Sequence, residues 1–299
     1  MPILPDYDSP VALKHIMDSR GMAMQKKFGQ NFLVHGPSRT RLIDALCLEP
    51  DMEVWEVGPG LGAMTAGLLE RGVNLTAFEI DRGFSTALKE FFSDKQNFTL
   101  VEGDVLKTWK QKLAERSARP PARFFGNLPY NIAAALVADT IEAGIRFDRA
   151  VFTIQKEVAL RMAAKPSTED YSSFSVLCQW AYKVTPLMDL AAGAFWPRPN
   201  VTSRAVLLEK RTDWPLCSSI TVFTGVQRAL FSQRRKTAKN NLSAYLMNSG
   251  RVQGKTESDL AAFDLLNTAG IDPGIRAECL AVSDFCRLSD AVHEMGGNK

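Results

Sequence analysis

Val54-Trp-Glu-Val-Gly-Pro-Gly-Leu-Gly-Ala63 runs from an apolar strand pattern through glycines into a helical pattern, and its reading decides the fold. Gly58 and Gly60 let the backbone turn sharply and approach a ligand closely, and a helix opening at Ala63 offers N–H groups at its start. About twenty residues on, a second strand pattern ends in Glu79-Ile-Asp81, where a carboxylate can accept both hydroxyls of a ribose. A third ends in Glu102-Gly-Asp104, and Asp104 can accept the exocyclic amine of an adenine. Successive strand ends therefore converge on an adenosine-type ligand. Taken singly, the glycines also satisfy the dinucleotide pattern, and Asp104 also reads as a helix N-cap.

On both sides of this stretch, from Glu53 to about Lys210, strand patterns alternate with helical ones, which predicts an α/β domain with a mostly parallel sheet. The strands are Glu53–Val57, Leu75–Ile80, Thr99–Glu102, Arg123–Gly126 and Ala150–Gln155; helices include Met64–Arg71, Gly83–Phe92, Ile132–Ala143 and Lys156–Ala164. A helix over Phe174–Tyr182, a strand over Val184–Leu190, the loop Phe195-Trp-Pro-Arg-Pro-Asn200 and a strand over Arg204–Glu209 follow. No crossover helix fits between these last strands, so one of them runs antiparallel. Past Arg211 the pattern is helical only: Ile220–Ser232, Thr237–Asn248, Glu257–Ala269 and Val282–Glu294. Ahead of the first strand lie the loop Lys26–Leu33 and a helix near Ser38–Cys47, with Ser38 as its cap. The chain thus divides into an N-terminal segment (1–50), an α/β domain (51–210) and a small all-helical C-terminal domain (211–299).

Composition narrows the chemistry. Of 299 residues, 45% are hydrophobic and 23% charged, the balance of an ordinary globular protein. No apolar run is long enough to span a membrane, and Asp6 and Asp8 stand where a signal peptide would be basic, so a cytoplasmic location is expected. The five cysteines are scattered and never spaced as Cys-x-x-Cys, and the three histidines lie far apart; no metal site is expected, nor histidine acid–base catalysis. A net charge of +3 does not itself diagnose a nucleic-acid partner.

The fourth strand ends in Phe124-Phe-Gly-Asn-Leu-Pro-Tyr-Asn131, which supplies what transfer to an exocyclic amine needs. Such an amine is a poor nucleophile because its lone pair is delocalised into the purine. The Asn127 side-chain oxygen and the Leu128 backbone carbonyl can each accept one of its N–H bonds, turning the nitrogen towards a tetrahedral geometry. Pro129 fixes the chain direction, Tyr130 can stack on the base, and Phe195 can close the other face. No general base is then required. A base held in that sandwich must be unstacked from its helix.

These residues resemble the ribosomal RNA small-subunit adenine dimethyltransferases of the KsgA type. The similarity runs from Lys27-Phe-Gly-Gln-Asn-Phe-Leu33 through Glu56-Val-Gly-Pro-Gly60, Asn127-Leu-Pro-Tyr-Asn-Ile132 and Gln155-Lys-Glu157 to Phe231-Ser-Gln-Arg-Arg-Lys-Thr237 and Asp272-Pro-Gly-Ile-Arg-Ala-Glu278. It implies a Rossmann-like, seven-stranded sheet dependent on S-adenosylmethionine. It further implies that Asn31, Leu33, Gly58, Glu79, Asp104 and Asn127 contact the methyl donor, with Glu56 near its methionine part. Asn127, Leu128, Tyr130 and Phe195 match the target-base pocket. The implied reaction converts two adjacent adenosines near the 3′ end of 16S rRNA to N6,N6-dimethyladenosine on a small-subunit precursor.

Arg228, Arg234, Arg235, Lys236 and Lys239 form a basic run with no acid among them, which can track phosphates, with Lys26 and Lys27 as a second contact point. A monomer is expected. Two alternatives share the fold: a large-subunit (23S) adenine N6-methyltransferase of the macrolide-resistance type, typically with Ile where this chain has Leu128, and an RNA-binding assembly or transcription factor without turnover.

Overall fold

The computed structural model describes residues 3–25, 29–116, 119–128, 132–213 and 217–297. Lys26, Lys27, Pro129 and Tyr130, all expected in the site, lie outside the described residues. The strands are β1 (Phe32–Leu33), β2 (Glu53–Val57), β3 (Asn74–Glu79), β4 (Phe98–Glu102), β5 (Arg123–Asn127), β6 (Arg149–Gln155), β7 (Tyr182–Leu190), β8 (Phe195–Trp196) and β9 (Ser203–Lys210). The helices are α1 (Pro10–Ser19), α2 (Gly36–Asp44), α3 (Ala63–Glu70), α4 (Arg82–Phe91), α5 (Val105–Ala114), α6 (Ala133–Glu142), α7 (Lys156–Ala163), α8 (Ser173–Ala181), α9 (Ile220–Phe231), α10 (Ala238–Asn248), α11 (Lys255–Thr268) and α12 (Val282–Gly297).

Seven strands form one sheet in the order β4-β3-β2-β5-β6-β9-β7. The neighbours from β4 to β6 are parallel, and β9 lies antiparallel to β6. The expected mostly parallel α/β sheet and its late antiparallel strand are both present. The strand order reverses direction between β2 and β5, so a crevice opens beyond their carboxyl ends, the usual ligand position in such sheets.

Helices on both faces make the central strands near-continuously apolar. On one face Trp55 packs against Phe78, Phe124 and Phe147 at ring separations of 5.0, 6.2 and 6.0 Å. On the other, Val54, Leu75, Phe125 and Val151 join Leu42, Leu68, Phe84 and Leu88 in the core. Each such large side chain contributes roughly 1.5–3 kcal/mol by leaving water, which holds the strand ends in fixed register.

Two features of the N-terminal region differ from the sequence reading. Helix α1 was not expected; Ser9 caps it, accepting from Ala12 N–H at 3.2 Å, with Pro10 in its first turn and Leu13 and Met17 buried. Helix α2 is capped by His35 rather than Ser38, because Pro37 suits the first turn and carries the start back to Gly36. Ser38 is buried inside that turn, with its Oγ 2.8 Å from His35 Nδ1.

The chain forms two compact units. The first holds residues 1–139, 145–159 and 184–210; the second holds 140–144, 160–183 and 211–299. Thus the second unit takes in two segments besides the expected 211–299, and residues 1–50 belong to the first unit. The reason is aromatic packing: within the second unit, Trp180 meets Phe223 at 4.8 Å, Tyr171 meets Phe231 at 5.9 Å, and Phe231 stacks on Phe285 at 5.8 Å.

Candidate active site

A cleft of about 270 Å³ opens in the first unit at the carboxyl ends of β2, β3, β4 and β5. Asn31, Leu33, Glu56, Gly58, Gly60, Glu79, Asp104 and Asn127 all line it. The glycine turn makes the room. Gly60 has φ +58°, and a Cβ there would stand 2.7 Å from the Phe32 ring, so only glycine lets the loop lie against this wall.

Glu79 ends β3 and is 4% exposed. Its Oε2 accepts from Gly60 N–H at 3.1 Å and its Oε1 from Asp81 N–H at 2.8 Å, so the carboxylate is aimed by the glycine turn itself. Burial pushes its pKa up to about 7, against the pull of those backbone donors. Glu56, on β2, is buried deeper and raised to about 8, chiefly by desolvation and further by Glu79; Thr65 Oγ1 donates to its Oε2 at 2.7 Å. Two buried acids on one cleft wall form a site disposed towards donor hydroxyls or positive charge.

Asp104 caps α5, its Oδ1 accepting from Leu106 N–H at 3.0 Å, and it also faces the cleft. The two readings of this residue are compatible, since a carboxylate has lone pairs for both partners.

Asn127 closes β5. Its Nδ2 donates to Asn31 O at 2.8 Å, and its Oδ1 accepts from Thr153 Oγ1 at 2.5 Å. Leu128 keeps its side chain buried, and its N–H donates to Thr153 O at 3.1 Å. The amide of Asn127 is therefore held on both ends while still facing the cleft.

Residues 21–273 match the family described as ribosomal RNA adenine dimethylase. The chain belongs to that family. It is 49% identical over 290 residues to Ribosomal RNA small subunit methyltransferase A of Treponema denticola, covering 96% of each chain. The protein of the same name from Borreliella burgdorferi is 36% identical over 289 residues, covering 96% of this chain and 95% of that one. Among solved structures, a dimethyladenosine transferase from Plasmodium falciparum superposes with a TM-score of 0.72 at 24% identity, covering 88% of this chain and 97% of that one. The 23S rRNA methyltransferase ErmE superposes with a TM-score of 0.60 at 24% identity, covering 87% and 99%. These two solved structures share the Rossmann-like fold of this dimethylase.

Other expected site residues of the dimethylase are placed differently. Phe195 does not line the cleft; it is 3% exposed in the core, paired with Leu33 across β1 and β8. Strand alternation is the cause: Phe195 turns inward, and Trp196 instead lies half-buried, stacked on Phe32 at 6.0 Å. Phe195 is thus packed in the core and not on the wall of this cleft. In the second unit, the basic run spans the end of α9 and the turn into α10. Arg228 is ion-paired with Glu142, and Arg234 with Glu278 at 3.3 Å. Arg235 and Lys236 are exposed and Lys239 is half-buried.

Sequence reasoning missed the clamp on the loop before β1. Asp81 caps α4 through Oδ1, while its Oδ2 accepts from Gln25 Nε2 at 2.8 Å and Gln30 Nε2 at 3.2 Å. Two glutamines within six residues of each other, just ahead of an apolar Phe-Leu strand, were the available signal, but their partner lies across the fold. Among the described residues no group of three or more metal-ligating side chains occurs, and no helix is long and apolar enough to cross a membrane.

Proposed function

We propose that the protein dimethylates N6 of two adjacent adenosines near the 3′ end of 16S rRNA, using S-adenosylmethionine, on small-subunit precursors in the cytoplasm. The small-subunit assignment follows the names of its relatives in Treponema denticola and Borreliella burgdorferi. The observation that carries the chemistry is the Asn127 amide, fixed at the end of β5 on the same cleft as Glu79 and Asp104.

The cleft fits this donor. Glu79 offers two oriented oxygens to ribose hydroxyls, Asp104 an acceptor to the adenine amine, and the Gly58–Gly60 turn leaves space for close backbone approach. Glu56, held by Thr65, stands as the acid neighbour of the methionine part; its buried carboxyl is raised to about 8, so a positive charge beside it would favour loss of its proton. S-adenosylmethionine supplies a methyl carbon on a sulfonium, open to in-line displacement.

Asn127 Oδ1 and Leu128 O accept the two N–H bonds of the target amine, which draws the nitrogen lone pair out of conjugation and points it along the transfer line. The proton then leaves to water, so no histidine is needed. Tyr130 supplies the stacking face for the base. Methyl transfer onto small subunits lacking the modification, with mass spectrometry of the nucleosides, tests this reading: dimethyladenosine in 16S rRNA is expected. Label appearing in 23S rRNA, or none at all, overturns it.

A further inference from the structure

We infer that Thr153 is a positioning residue that sets the orientation of the Asn127 amide and so presents its oxygen to the target amine; this rests on the proposed role of Asn127.

The orientation follows from donor and acceptor logic alone. Asn31 O is a backbone carbonyl and can only accept, so the Asn127 group facing it at 2.8 Å must be the Nδ2 amine. That puts Asn127 Oδ1 against Thr153 Oγ1, 2.5 Å away, and the hydroxyl must donate. An amide oxygen has two in-plane acceptor directions. Thr153, 1% exposed, fills one from the sheet side, and the other remains for a ligand in the cleft that Asn127 lines.

The same residue holds the backbone beside Asn127. Thr153 sits directly opposite Asn127 in the β5–β6 register, and its own carbonyl accepts from Leu128 N–H at 3.1 Å. The peptide between Asn127 and Leu128 is thereby tied to the same strand position. A buried hydroxyl and a backbone carbonyl of one residue thus hold the Asn127 side chain and the peptide that follows it. Without the hydroxyl, the Asn127 side chain keeps only its bond to Asn31 O and can swing about it, losing alignment that matters in the transition state and little in binding the donor.

The test is a series at one position. Thr153→Val keeps the shape and removes the donor, Thr153→Ala removes both, and Thr153→Ser keeps the donor. Expected is a kcat about tenfold lower for Val and Ala, with the KM for RNA and the Kd for S-adenosylhomocysteine within about twofold of wild type, because alignment is used in the transition state alone. Thr153→Ser should return kcat to near wild type, although it shares with Ala the loss of the methyl. A kcat for Val or Ala equal to wild type overturns the proposal, as does a Ser variant as slow as Ala. If Val does not fold, the Ser and Ala pair decides. Asn127→Ala run alongside separates the two failures: full turnover there removes the proposed role of Asn127, whereas an inactive Asn127→Ala with an unaffected Thr153→Val removes the positioning role only.

Discussion

Glu79 controls how the cleft responds to pH. Its carboxyl is raised to about 7 by burial, and in the proposed donor site ribose hydroxyls would donate to its ionised form, which links donor binding to proton release. The sign is fixed: at low pH the acid is protonated and a proton must be expelled, so affinity is weak; it strengthens as pH rises through about 7, and Glu56, raised to about 8 on the same wall, extends the rise. Calorimetry with S-adenosylhomocysteine from about pH 6 to 9 should show this rise, and Glu79→Gln should both weaken binding and flatten the profile near 7. Affinity that falls with pH would contradict the assignment. The places of Glu79, Asp104 and Asn127 on the cleft were legible in the sequence because a polar group ending an apolar strand run has few structural uses. Thr153 was not, because its meaning depends on standing opposite Asn127, and register between β5 and β6 is set by packing across the whole sheet. The direction of Phe195 was not legible for a related reason: the motif gives an aromatic side chain, and only strand pairing decides which way it faces.

Between single residues and the fold, Asp81 joins two elements. One oxygen caps α4 by accepting from Gly83 and Phe84 N–H; the other anchors Gln25 and Gln30, which flank the loop leading to β1. Replacing Asp81 by Ala should lower stability by about 1 kcal/mol through removal of the cap, read by urea denaturation, and weaken donor binding severalfold through the freed loop. Asp81→Asn keeps an oxygen for the cap, so it should retain most of the stability and still lose donor affinity, since Asn puts an amine towards the two glutamines. Wild-type donor affinity in both variants would show that the clamp does not shape the cleft. Alternation of strand and helix was readable for most of the chain because buried parallel strands are short apolar runs with turn residues at their ends. Helix α1 escaped because its apolar residues are not confined to one face, Val11 being exposed while Leu13 and Met17 are buried; the Ser9-Pro10 start was the usable sign. The start of α2 shifted because an imidazole took the capping place that serine usually fills.

For the whole molecule, the proposed rRNA contact turns on which surface cations already have an acidic neighbour. Arg228 and Arg234 are committed to Glu142 and Glu278, whereas Arg235 and Lys236 stand exposed on the turn, with Lys239 half-buried beside them. Changing these last three to Ala should weaken rRNA binding and reduce the slope of log affinity against log salt by roughly 0.7–0.9 for each phosphate no longer neutralised. Filter-binding titrations at several salt concentrations measure this, and donor affinity should not move. An unchanged slope would remove the second unit's turn from the RNA-binding surface. In the sequence the five cations stand as equals; their different partners become visible only with 140–144 and 160–183 packed in the same unit as the C-terminal helices.

The pairing of β1 with β8 also bears on biosynthesis. Phe32 and Leu33 pair with a strand made long after them, Phe195 and Trp196, and Phe32 in turn leans on Gly60. While the polypeptide is still emerging from the ribosome, the β2 to β6 portion can begin to assemble, yet one side of the pocket waits for a late segment. In the proposed donor site that side is therefore completed only once about two thirds of the chain has been made, and a nascent chain halted before Phe195 leaves Phe32 and Leu33 without their strand partner.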